Sequence, residues 1–122
     1  MVSFSFPKSE RLYKKKAIRE LFDKGSSFYL HPFRVYYRPY ADAKTNHQIM
    51  FSVSKRNFKK ASDRNLIKRR MREAFRLNKA IISGIANLQM VYIYTAKEIL
   101  NFEEVRSRLV LSFKRFQEHE KS

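Results

Sequence analysis

The chain has 122 residues, enough for one domain with a real core and too few for two. Its 27 Lys and Arg against 11 Asp and Glu give a net charge of +16, an excess that repels itself in a folded protein and finds its reason in a polyanionic partner. A 43% hydrophobic content is far from that of a disordered basic tail, and the lack of Cys excludes disulfides, thiolate metal sites and cysteine nucleophiles.

Taken in chain order, SERLYKKKAIRELFDKG (9–25) reads as a first helix, with Ser9 as N-cap and Leu12, Ile18, Leu21 and Phe22 as its apolar face. Gly25 sits where a helix stops. SFYLHPFRVYYRPY (27–40) is aromatic and β-branched, and Pro32 divides it into a short strand and a longer one ending at Pro39. YADAKTNH (40–47) is a polar turn. QIMFSVSK (48–55) alternates, with Ile49, Phe51 and Val53 on one face, and is expected to form a hairpin with the strand before it.

A long helix follows, with Ser62 or Asp63 as N-cap and an end near Asn78; Gly84 and Asn87 mark the loop beyond. MVYIYTA (90–96) reads as a strand, and NFEEVRSRLVLSFKRF (101–116) as a last amphipathic helix carrying Phe102, Val105, Leu109, Phe113 and Phe116 at helical spacing. The order α-β-β-β-α-β-α predicts an α+β fold. A single-layer mixed sheet of about four strands with helices packed on one face is expected, in one domain over 1–122 with its core at about 9–118.

On a helical wheel Arg64, Asn65, Lys68, Arg69, Arg72 and Arg76 fall within about 140° of one another. Ile67, Met71, Ala74, Phe75 and Asn78 group on an adjoining face, so packing and binding do not compete. Between Lys55 and Lys79 the only acids are Asp63 and Glu73, so nothing nearby is expected to neutralise the stripe. Arginine predominates in it, and its planar fork suits phosphate; the helix N-terminus adds backbone N–H donors. On the strand 33–39, Arg34, Tyr36 and Arg38 share one face and Phe33, Val35 and Tyr37 the other. Cations interleaved with a ring suit a single-stranded nucleic acid. Phe33, Tyr37, Phe51 and Phe75 are expected in the core, and Tyr36, Tyr92 and Tyr94 on an exposed face.

Chemistry by the protein itself finds no support. Asp23, Asp42, Asp63, Glu73, Glu103 and Glu104 are scattered, and the Glu103–Glu104 pair is explained by its place at a helix start. His31, His47 and His119 are widely separated and are expected to be exposed and non-catalytic.

At SVSKR (52–56) followed by DRNLIKRRMREAF (63–75), the sequence resembles the protein subunit of bacterial ribonuclease P, whose signature helix has the form RNRxKRxxR. RLYKKKAIRELFDKG, FRVYYRPY, YIYTAK and FEEVRSRLVLSFKR resemble further family elements in the right order, so the likeness spans roughly residues 9–118. It implies a fold like the second domain of ribosomal protein S5. It also implies that Lys55, Arg56, Arg64, Asn65, Lys68, Arg69 and Arg72 meet the catalytic RNA, with Arg76 added by the helical wheel, and that Ile18, Phe22, Phe33 and Tyr36 bind the 5′ leader of precursor tRNA, with Arg34 and Arg38 added by their place beside Tyr36 on the strand. Leu66 stands where the family usually has Arg, with Arg70 as a partial substitute; Ile18 replaces a common aromatic and Thr95–Ala96 a common Ala–Arg.

The implied function is removal of the 5′ leader from precursor tRNA by a ribonucleoprotein. Its catalytic RNA would carry the chemistry with Mg²⁺ held mainly by that RNA, and no small-molecule ligand is implied. A ribosomal-type rRNA-binding protein is the alternative. A DNA-binding module lacks helix-turn-helix spacing, and a membrane-surface helix would leave uncovered the apolar face that a sheet can cover here. No apolar run approaches the roughly 20 residues of a membrane span, and the first residues lack a signal-peptide core, so a cytoplasmic protein with no membrane partner is expected.

Overall fold

The computed structural model describes residues 6–39 and 47–121, with side chains to residue 118. A 3₁₀ turn, Lys8–Glu10, precedes α1 (Lys15–Lys24), β1 (Ser26–Leu30), β2 (Phe33–Pro39) and β3 (Gln48–Val53). Then come α2 (Ala61–Asn78), a second 3₁₀ turn (Lys79–Ile82), β4 (Leu88–Tyr94) and α3 (Phe102–Lys121). This is the expected α+β order around a four-stranded mixed sheet. The polar turn expected over 40–47 lies, apart from His47, outside the described residues, as does the side chain of His119.

Two local expectations are corrected by sheet pairing. Ser9 does not cap α1: Arg11 bridges in parallel to Ile49, and the Leu12 N–H donates to the Ile49 carbonyl at 3.0 Å. That pairing draws the segment along the edge of β3 and delays the helix to Lys15. Nor does β3 form a hairpin with β2. The sheet order is β1-β2-β4-β3, with β1–β2 and β2–β4 antiparallel and β3–β4 parallel. β4 is buried at six of its seven positions, so both its faces need cover, and the centre of a sheet supplies that where an edge does not.

One face of the sheet carries the main core. Phe33, Val35, Ile49, Phe51, Val53, Met90, Tyr92 and Tyr94 pack against Ile67, Met71 and Phe75 of α2 and Val105, Leu109 and Phe113 of α3. Edge-to-face ring contacts link Phe33, Tyr92, Phe113 and Phe75 at centroid separations of 5.5 to 6.3 Å. Tyr92 and Tyr94, expected to be exposed, are fully buried here. Each phenol is tied: the Tyr92 hydroxyl pairs with Ser112 Oγ at 2.6 Å, and Tyr94 donates to the Glu98 carbonyl at 2.6 Å while accepting from the Leu100 N–H. Burial raises both phenol pKa values.

α2 and α3 meet the expectation of helices on one face, whereas α1 crosses the other. Leu21 packs with Leu12 and Val91, flanked by Ala17, Ile18, Tyr36, Met50 and Ile93. α1 ends at Gly25, whose N–H donates to the Leu21 carbonyl at 2.8 Å. A Cβ there would lie 2.5 Å from that oxygen and 3.0 Å from the Tyr37 carbonyl. Gly25→Ala is therefore expected to cost about 1–3 kcal/mol through overpacking, read as a lower denaturant midpoint with the m-value unchanged.

α2 starts at Ala61, not after Ser62 or Asp63, and no side chain caps it. The Asp63 and Arg64 N–H groups both donate to the Lys60 carbonyl, and Asp63 sits in the first turn, where the helix dipole favours it.

His47, expected to be exposed, is buried at the start of β3. The Leu88 N–H donates to its Nδ1 at 3.0 Å, so the ring proton sits on Nε2 and is donated to the Ile82 carbonyl at 2.5 Å. Burial lowers its pKa from the ordinary 6.5 and keeps the ring neutral. The unfolded chain therefore binds the proton more readily, so this contribution is full above about pH 6.5 and falls as pH drops below it. Urea midpoints at about pH 7.5 and 5.5 are expected to differ more for the wild type than for His47→Gln.

Candidate nucleic-acid interface

α2 turns Ile67, Met71, Ala74 and Phe75 inward, which fixes the direction of its other residues. Asn65, Arg69 and Arg72 are exposed and Lys68 partly so; Lys55 and Arg56 are exposed in the turn ahead of the helix. That turn is held by the Phe58 N–H on the Ser54 carbonyl (3.1 Å) and the Arg56 N–H on Ser54 Oγ (3.2 Å). Arg64 takes part in it as well. Its Nη1 donates to the carbonyls of Phe58 (2.8 Å) and Lys59 (2.9 Å), clamping Lys55 and Arg56 beside the helix start.

The stripe is not wholly unneutralised, as the sequence had suggested. Arg76 is paired with Glu73 one turn before it, and this partner holds the Glu73 carboxyl below its usual range. The pair is solvent-screened and adds little stability. Arg70, read as a partial substitute for an arginine at position 66, is half-buried, and its Nη1 donates to the Leu100 carbonyl at 2.5 Å. Leu66 itself is half-buried.

On the α1 side of the sheet, three of the expected residues come together. The Phe22 ring stands edge-on to Tyr36 at 4.7 Å, and Arg34 is exposed one alternation along β2. Phe33 points to the opposite face and is fully buried, so it lines the core and not this surface. Ile18 is half-buried on α1 beside the Leu12–Leu21–Val91 cluster, and Arg38 ties α1 to β2 through Glu20 at 3.2 Å. Tyr29 was missed. It is 51% exposed, pairs with Arg34 in the β1–β2 register, and lies beneath the Arg34 guanidinium at 5.9 Å. The hairpin around His31–Pro32 was the signal that would have placed it there.

The described part of the chain thus presents an arginine-rich helix face and, across the sheet, a cation-flanked aromatic surface. Residues 6–117 match the Ribonuclease P family. The chain belongs to the ribonuclease P protein family. It is 35% identical over 102 residues to the ribonuclease P protein component of Porphyromonas gingivalis, covering 83% of this chain and 74% of that one. It is 32% identical over 115 residues to that of Citrifermentans bemidjiense, covering 94% and 95%. Among solved structures, the RNase P protein from Thermotoga maritima superposes with a TM-score of 0.73 at 30% identity, covering 87% of this chain and 96% of that one.

As a ribonuclease P protein component, the chain is the protein subunit of the endoribonuclease that removes 5′ leaders in tRNA processing, with RNA as its partner in a ribonucleoprotein. The ribosomal-type alternative is not favoured. Among the described residues no helix is long and apolar enough to cross a membrane.

Arg69 and Arg70 separate binding from scaffolding. Arg69→Ala is expected to leave the unfolding midpoint unchanged and to lower the salt slope of RNA binding by about one. Arg70→Ala is expected to cost roughly 1 kcal/mol of stability with little change in that slope. Titrations at several salt concentrations, paired with urea unfolding, check both.

Proposed function

We propose that α2 and the turn ahead of it hold the catalytic RNA of ribonuclease P, while Phe22, Tyr29, Arg34 and Tyr36 meet the single-stranded 5′ leader of precursor tRNA. The carrying observation is that Asn65, Arg69 and Arg72 are exposed on α2, with Lys55 and Arg56 exposed in the turn ahead of it, while Ile67, Met71, Ala74 and Phe75 of the same helix are buried in the core. Such cations exchange counterions for phosphates and bring mutually repelling RNA strands together. Rings beside Arg34 offer stacking worth about 1–3 kcal/mol per base. Only the precursor has a leader, so this surface favours substrate over product and lets product depart.

Hydrolysis is left to the RNA subunit, which would hold the Mg²⁺ that this chemistry calls for. Among the described residues no three His, Cys, Asp or Glu side chains converge. The protein contributes affinity and substrate discrimination.

The test is precursor-tRNA cleavage by a bacterial ribonuclease P RNA at low, fixed Mg²⁺. It is run without protein, with this chain, and with an Arg64/Lys68/Arg72 triple alanine variant. Wild-type protein is expected to restore cutting at the mature 5′ end, and the triple variant to assemble poorly with a salt slope lower by about two, from Lys68 and Arg72, since Arg64 is held on the Phe58 and Lys59 carbonyls. Tyr36→Ala is expected to narrow the affinity gap between precursor and mature tRNA. A triple variant that assembles like wild type would remove α2 from the interface.

A further inference from the structure

α1 has ten residues, too few to be stable alone in water, so its place depends on what it rests on. Leu21 supplies the apolar contact, against Leu12 and Val91. Hydrophobic burial has no directional requirement, so it holds the helix on the sheet without fixing its roll. The roll matters, because Phe22 belongs to α1 and Tyr36 to β2. Their shared surface exists only while the two rings stay edge-on at 4.7 Å.

A polar contact supplies the missing direction. Glu20 and Phe22 flank Leu21, each about 100° round the helix from it, so they leave α1 on its two sides. Phe22 meets Tyr36, and Glu20 accepts from Arg38 Nη2 at 3.2 Å. Tyr36 and Arg38 share one face of β2, roughly 7 Å apart along the strand. β2 therefore grips α1 at two points, one on either side of Leu21. Among the described residues, Glu20–Arg38 is the ion pair that joins α1 to the sheet. Such a half-exposed pair adds little stability; what it adds is a distance and an angle.

Arg38 is turned to this task and away from solvent. Its side chain is 26% exposed, whereas Arg34 on the same face of the strand is exposed. It stands directly across the β2–β4 ladder from Gln89, which is paired in turn with Gln48 of β3. Arg38 Nε is a buried donor and Gln89 Oε1 a buried acceptor, neither with a partner, and a small rotation of either side chain lets each satisfy the other. The charge of Arg38 is already met by Glu20, so it is not free to neutralise a phosphate.

We infer that Arg38 is a positioning residue for leader discrimination: through Glu20 it fixes the roll of α1 and so keeps Phe22 against Tyr36, without itself touching the leader. The inference rests on the reading of the Phe22–Tyr36 surface as the leader site. Charge separates this role from a direct contact. Glu20→Ala removes a negative charge and frees Arg38, so a phosphate contact by Arg38 would strengthen, whereas loss of a positioning contact weakens leader binding. Alanine is the best helix former, so the substitution does not disfavour α1 as a helix.

The experiment assembles Glu20→Ala and, separately, Arg38→Met with a bacterial ribonuclease P RNA. Affinities for precursor and mature tRNA are measured at several salt concentrations, at a temperature where unfolding curves show every variant folded. Both variants are expected to bind precursor about fivefold more weakly, the low end of what stacking one base is worth, with mature-tRNA affinity and salt slope unchanged. Neither is expected to weaken precursor binding further in a Tyr36→Ala background, because both act through the same pair of rings. Amide exchange in the free protein is expected to quicken in α1 and not in α2.

Stronger or unchanged precursor binding by Glu20→Ala, losses that add to that of Tyr36→Ala, or a salt slope lowered by Arg38→Met would each overturn the inference. If Tyr36→Ala itself binds precursor like wild type, the leader surface falls and the inference with it. If Tyr36→Ala weakens binding while Glu20→Ala does not, the leader surface stands and the role of Arg38 falls.

Discussion

The placement of β4 between β2 and β3 is the constraint on which the rest depends. Its Met90, Tyr92 and Tyr94 complete the main core, while Val91, on its other face, is covered by Leu21 of α1. A strand buried on both sides needs helices on both sides. That requirement brings α1 across the sheet from α2 and α3, and so leaves a cationic helix on one side and an aromatic surface on the other.

The protein's cations divide by their partners. Arg38, Arg64, Arg70 and Lys79 each bind a named carboxylate or carbonyl and hold elements in place. Lys55, Arg56, Arg69 and Arg72 are exposed on or just ahead of α2. A high net charge alone does not separate these groups. Arg69 and Arg70 are neighbours in sequence yet lie about 100° apart on the helix, one toward solvent and the other toward Leu100.

The clamp by Arg64 joins scaffold to interface. By holding the carbonyls of Phe58 and Lys59 it keeps Lys55 and Arg56 beside the first turn of α2, so a cationic patch drawn from two segments acts as one surface. Loss of Arg64 would therefore loosen its neighbours as well as remove a charge, an effect that a single deletion does not apportion.

Much was legible in the sequence because it depends on local periodicity. The alternation of Ile49, Phe51 and Val53, the stop at Gly25, the division at Pro32 and the separate cationic and apolar faces of α2 each need only a few residues to specify. Family membership was legible too, in the arginine-rich signature. Partners distant in the chain were decided by the tertiary structure. Pairing with Ile49 drew residues 11 and 12 out of helix, and β4 displaced β2 as the neighbour of β3. The same packing buried Tyr92, Tyr94 and His47. Periodicity sets which face a side chain occupies; only packing between remote segments sets what lies against that face.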